Sequence, residues 1–241
     1  MDAETPETKT AAIREPVKLS PREGYRLWSR SWDADSNPIV GLESRHLGPM
    51  LPDLAGRRFL DVGCGTGRWL ARARVDGATI LGLDFCREML LEAGNKPGIH
   101  GRLLLADACC LPVPDCWADV VLFALALGYV KSLEAVLLEL ARTAKIGGIM
   151  IVSDFHPGAA SRGWKRTFRS GSQVYEIENH PYTVDRLTGA AESVGLELEE
   201  LLEPCFDEPE RAIFRRAGKE QLFEEARGAP AVIIGRWRRR R

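Results

Sequence analysis

The chain has no stretch long enough to cross a bilayer. Its longest apolar run, Val120 to Leu127, is strand-sized, against the ~20 residues that a spanning helix needs. The opening stretch, Met1 to Pro16, is polar throughout, which argues against a signal peptide or an anchor. No C-x-x-C pair exists among the six cysteines (Cys64, Cys86, Cys109, Cys110, Cys116, Cys205), so no metal is expected. With no export signal in view, they read as reduced, mostly buried thiols of a cytoplasmic protein. An excess of one charge is missing too: Lys and Arg number 33, Asp and Glu 34. That balance speaks against a nucleic-acid partner or an electrostatic funnel. Residues 1–18 have few apolar side chains to offset ordering entropy and are expected to be a disordered tail. Residues 19–241 are long enough for a single α/β domain with appendages.

What is present is organised around Phe59 to Gly67, FLDVGCGTG. Phe59 to Val62 reads as a short buried strand, and Gly63, Gly65 and Gly67 follow at alternate positions. Trp69, Leu70 and Ala73 then fall at helical spacing. A strand passing through such a turn into a helix lets backbone come close to a ligand, because glycine accepts positive φ. A dinucleotide loop, G-x-G-x-x-G, would need its third glycine where Arg68 stands. The strand also carries Asp61, which would repel a pyrophosphate but suits an ammonium or sulfonium group.

This turn resembles the first motif of the class I S-adenosylmethionine (SAM) methyltransferases, D/E-x-G-x-G-x-G. Other segments follow in that family's order. Strand Ala78 to Leu83 ends at Asp84, where a carboxylate can accept from both ribose hydroxyls. Strand Arg102 to Ala106 leads into Asp107-Ala108 and then Leu111-Pro-Val-Pro-Asp115, which resembles the family's L-P-x-x-D segment. The resemblance implies that the Asp107 side chain takes the adenine amino group and the Ala108 N–H a ring nitrogen. Ala118 to Ala124 reads as a central strand covered on both faces. The next segment departs from the family, with Gly128 and Tyr129 where two histidines often sit. Arg142 to Gly148 resembles the family's R-x-L-K-P-G-G turn, whose glycine pair is expected to cap the preceding helix (Ser132 to Ala144) and turn the chain into strand Ile149 to Asp154.

The expected fold is therefore α/β: a doubly wound, seven-stranded, mostly parallel Rossmann-like sheet of the methyltransferase type. Thr183 to Val194 reads as its last helix, Leu196 to Leu202 and Ala231 to Trp237 as its last strands, and Arg238 to Arg241 as a solvated tail. Ahead of the sheet, Tyr25, Trp28 and Trp32-Asp33 resemble the Y-x-x-W-x-x-x-Y/W-D opening of small-molecule methyltransferases. Residues 19–55 are then lid helices, or plain packing helices. Residues 155–182, with a hairpin signal at Ser170-Gly-Ser172, form a substrate cap.

The resemblance implies SAM as cofactor, held by Asp61, Gly63, Gly65, Gly67, Asp84, Phe85, Asp107, Ala108 and Phe123, with Tyr25 and Trp28 as walls. The reaction implied is methyl transfer to a small-molecule acceptor, in the branch that includes quinone- and biotin-pathway enzymes. His156, after the fifth strand, is the candidate base, and Tyr129 a candidate pocket residue. Two other readings stay open: a non-catalytic SAM-binding scaffold, and an arsenite-type methyltransferase using cysteines as soft ligands. The latter fits poorly, because Cys109 and Cys110 flank the expected adenine loop. The acceptor and the oligomeric state are not legible.

Overall fold

The computed structural model describes residues 15–240. Most of the expected tail, residues 1–14, lies outside them. Val17 and Lys18 do not: they belong to a strand, β1 (Val17–Leu19), which pairs in parallel with a distant partner. Helix α1 (Pro21–Trp28) starts on a capping box in which Ser20 and Glu23 satisfy each other's backbone N–H groups. Helix α2 (Pro38–Met50) is capped by Asn37.

The doubly wound part opens with β2 (Arg58–Val62), α3 (Arg68–Val75), β3 (Thr79–Asp84), α4 (Arg87–Gly94) and β4 (Leu103–Leu105). It continues with β5 (Ala118–Ala124), α5 (Leu133–Thr143) and β6 (Ala144–Phe155). After a short helix, α6 (Pro157–Ser161), come the hairpin strands β7 (Thr167–Ser170) and β8 (Gln173–Ile177). Helix α7 (Val184–Ser193), β9 (Leu196–Leu202), α8 (Glu208–Arg216), α9 (Phe223–Ala226) and β10 (Val232–Arg239) follow.

Seven strands form one sheet in the order β4-β3-β2-β5-β6-β10-β9, parallel except for β10. Strand order reverses between β2 and β5, so a crevice opens at their carboxyl ends. Alternation along β5 divides the core. Val120 and Leu122 face a layer built on α2, α3 and α8, whereas Val121 and Phe123 face α5 and α7.

A second, three-stranded sheet, β1-β8-β7, carries α1. Trp28, Phe168 and Ile177 are buried between them, with Tyr25, Trp32 and Tyr129 packed alongside. Helix α1 crosses β8 at Gly24, where a Cβ would come within 2.7 Å of Ile177. The opening helix and the hairpin are thus one body.

Three details differ from the sequence reading. Helix α5 ends at Thr143, and β6 starts before the glycine pair; Gly147 (φ 77°) lies in a register shift opposite Ala118 to Val120. A Cβ on Gly148 would approach the Lys145 carbonyl oxygen to 2.8 Å, so these glycines serve an irregular strand rather than a helix cap. Arg238 and Arg239 end strand β10 rather than forming a solvated tail, and only Arg240 is exposed beyond it among the described residues. Arg238 pairs with Glu199 and donates to the Gly147 carbonyl, and Arg240 pairs with Glu197. Finally, the helices between residues 203 and 230 were not expected; α8 is fastened to α2 by Arg45 and the buried Glu210.

Candidate functional site

A cavity of about 460 Å³ occupies the crevice, within the ~300–1,000 Å³ typical of small-molecule sites. Its floor is the turn after β2. Gly63, Gly65 and Gly67 all have positive φ, between 55° and 79°. A Cβ on Gly63 would press to 2.9 Å from the Ala126 side chain, whereas one on Gly65 would enter open space. Gly67 is different: it does not line the cavity, and a Cβ there would meet Ala93 and Ile99 at 3.2 Å. Its role is to let α3 approach α4.

Two carboxylates stand at the strand ends. Asp84 is buried and already accepts from the Gly65 and Cys86 N–H groups, both at 2.8 Å. Burial pushes its carboxyl up to about 6 despite these bonds. Asp61 is 2% exposed, and its Oδ2 has no hydrogen-bond partner. Burial drives its carboxyl well above the usual range, with Arg68 the nearest counterweight. An orphaned buried acceptor beside a cavity has a desolvation cost that only a bound donor offsets.

Asp107, Ala108, Phe85 and Phe123 line the cavity, as do Tyr25 and Tyr129. The Asp107 carboxylate accepts from the Cys109 N–H, and the Arg22 guanidinium lies 5.5 Å from the Phe85 ring centre. Trp28 does not line it. Its ring stacks on Phe168 at 4.7 Å and its indole N–H donates to Asp35, so Trp32 supplies the wall instead.

His156 also lies outside the lining. It caps α6, with Nδ1 accepting from the Gly158 N–H and Nε2 bonded to Glu203 at 2.7 Å. Both ring nitrogens are engaged away from the cavity.

Several polar contacts of the site were not foreseen from the sequence, although Asp33 stands in the opening motif. Arg166 comes from just before β7 and donates to the Tyr129 hydroxyl at 2.9 Å and the Leu125 carbonyl at 3.1 Å. It also forms an ion pair with Asp154, at the end of β6. Gly128 leaves room for this pair: a Cβ there would fall 3.0 Å from Asp154 Oδ2 and 3.3 Å from Arg166 Nη2. Asp33, after α1, accepts from the Thr66 hydroxyl and pairs with Lys96, each at 2.7 Å. Glu43 of α2, fully buried, holds Arg68 at 2.9 Å. None of these contacts has a local signal, since each joins distant segments.

Comparison with known proteins agrees with this geometry. Residues 60–152 match the family described as methyltransferase domain. The demethylmenaquinone methyltransferase of Thermus thermophilus is 37% identical over 43% of this chain and 49% of its own length. The malonyl-[acyl-carrier protein] O-methyltransferase of Serratia marcescens is 31% identical over 50% of this chain and 44% of its own. A SAM-dependent methyltransferase from Mesorhizobium loti shares the fold, with TM-score 0.66 and 24% identity over 83% of this chain and all of that one. The chain spans about half the length of the curated relatives it matches.

Proposed function

We propose that this chain, whose residues 60–152 match the family described as methyltransferase domain, is a class I SAM-dependent methyltransferase that binds SAM in the crevice and methylates a small-molecule acceptor. The observation that carries the reading is the partnerless Asp61 Oδ2, buried at the end of β2 beside the glycine turn. It fits a ligand with a hydrogen-bonding cation. Asp84 retains lone pairs for hydroxyl donors, and Asp107 and Ala108 lie further along the same cavity. The curated relatives are named for demethylmenaquinone and malonyl-[acyl-carrier protein], which supports a small acceptor group.

When bound, the cofactor supplies a methyl group already activated on a sulfonium. The chain's own task is then positioning and exclusion of water. Asp61 and Asp84 fix one end of the cavity. Tyr25, Trp32 and Tyr129 form an aromatic wall, and the β7–β8 hairpin packs behind it through Phe168 and Ile177. No histidine lines the cavity among the described residues, which favours an acceptor that needs no protein base.

Calorimetry with SAM and with NAD, followed by radiolabelled methyl transfer to a metabolite panel, tests the reading. SAM should bind, and Asp61→Asn should weaken it by about 1–3 kcal/mol. Binding of NAD without SAM would overturn the cofactor. SAM binding with no labelled product from any acceptor would favour a scaffold of the same fold.

A further inference from the structure

The cavity wall contains a donor that nothing in the protein uses. Tyr25 and Tyr129 both line the cavity, and their hydroxyl oxygens lie 2.7 Å apart. Arg166 donates to Tyr129 and therefore takes up no phenolic hydrogen. Two hydroxyl hydrogens thus meet a single oxygen-to-oxygen contact, and one is left without a protein acceptor on a wall that faces the cavity. Burial pushes the Tyr25 phenol well above its ordinary range, with Tyr129 adding to the shift, so it remains a donor at neutral pH.

The donor is set in place with some force. Arg166 is 10% exposed in its side chain, is paired with Asp154, and lies 4.6 Å above the Tyr129 ring. Burial opposes its charge, but Asp154 and the two phenols outweigh that and hold it protonated. Leu125 adopts φ 55°, a strained value for a side chain of its size, and its carbonyl accepts from Arg166. The carboxylates lining the cavity are Asp61, Asp84 and Asp107, with Arg68 beside Asp61 and Arg22 against Phe85; Lys131 is its other cation. The one carboxylate of the network, Asp154, does not line the cavity and is neutralised by Arg166.

Resting on the methyltransferase reading above, we infer that the Tyr25–Tyr129 pair, backed by Arg166, is a subsite for an anionic oxygen of the acceptor, a carboxylate, phenolate or enolate. A neutral amide offers a weaker acceptor to the spare O–H. An amine brings a cation towards Arg166 and offers no lone pair to the spare O–H once protonated. Arg166 is a positioning residue: it touches Tyr129, not the ligand.

Ligand-observed NMR titration with benzoate, benzamide and benzylamine, three probes of one shape and different charge, tests this. It is run on the free protein and on protein saturated with S-adenosylhomocysteine. Benzoate should bind at least tenfold more tightly than either of the others. Tyr25→Phe/Tyr129→Phe should erase that preference. Arg166→Gln, which keeps both phenols, should reduce the preference in part. Equal binding of the three probes, no binding of any, or a preference that survives the double substitution overturns the subsite. A double variant that loses S-adenosylhomocysteine instead assigns the spare O–H to the cofactor and also overturns it. Failure of the wild-type protein to bind S-adenosylhomocysteine, with benzoate still preferred, would sink the methyltransferase reading and leave the subsite standing.

Discussion

Asp84 makes the site's pH dependence calculable in sign. Its carboxyl is raised to about 6 in the folded chain against an ordinary 3.8, because burial outweighs the backbone N–H groups of Cys86, Gly65 and Phe85. A raised acid means the folded state holds the proton longer. Stability should therefore fall as pH rises from about 4 to 6, by about 3 kcal/mol from this residue. Asp84→Asn should flatten that slope in urea titrations at stepped pH. Ribose hydroxyls donating to Asp84 favour its charged form, so S-adenosylhomocysteine affinity should rise through pH 6 in wild type and not in the variant. His156 makes the opposite expectation. Its ring is engaged by Gly158 and Glu203, so His156→Ala should leave turnover within about tenfold, less than the ~10²–10⁴ that loss of a general base causes. A larger fall with unchanged SAM affinity would put it back in the chemistry. Asp61, Gly63, Gly65, Asp84 and Asp107 were legible because strand-end carboxylates and positive-φ glycines leave residue types at fixed spacing. His156 misled because the sequence places it at the right sheet edge but says nothing of where its ring turns. Arg166 was illegible for the same reason reversed: its meaning lies in Tyr129 and Asp154, reached only through the fold.

The elements around the cavity are joined by a polar latch. Asp33, just beyond α1, accepts from Thr66 within the glycine turn and pairs with Lys96, which itself donates to the Thr66 carbonyl at 2.6 Å. The latch ties α1 and its following turn to the cavity floor. Asp33→Ala should loosen the cover without touching the ligand contacts, raising the S-adenosylhomocysteine dissociation rate about tenfold in stopped-flow, equivalent to about 1.4 kcal/mol. An unchanged rate would mean that ligand leaves by another route. Phe168→Ala acts on the same cover from the hairpin side. Its ring lies between Trp28 and Tyr175, so the substitution should cost about 3–5 kcal/mol of local stability and raise hydrogen exchange in both α1 and β8. The hairpin was legible from its turn signal, Ser170-Gly171-Ser172. Strand β1 was not, because a three-residue strand has no periodicity of its own and exists only through its parallel partner β8.

Across the whole molecule, the seven-stranded sheet was legible from alternating strands and helices, while the helices after β9 were not. The tightest constraint on that sheet is in β10. Trp237 is among the largest fully buried side chains, and a Cβ on Gly235 would lie 1.9 Å from its ring. Gly235→Ala should therefore destabilise the fold by about 1–3 kcal/mol in urea unfolding, as overpacking does; no change would mean the ring has somewhere to go. The place of β10 in the order β6-β10-β9 bears on how the protein is made. Both of its neighbours leave the ribosome first, and β9 is parallel to β6. Until Val232 to Arg239 emerges, the nascent chain holds two unpaired strand edges side by side, and β9 can dock directly against β6 in the gap meant for β10. Synthesis thus passes through a window in which the wrong sheet is available before the right one, and nascent chains halted ahead of Val232 should bind chaperones and resist release until translation resumes.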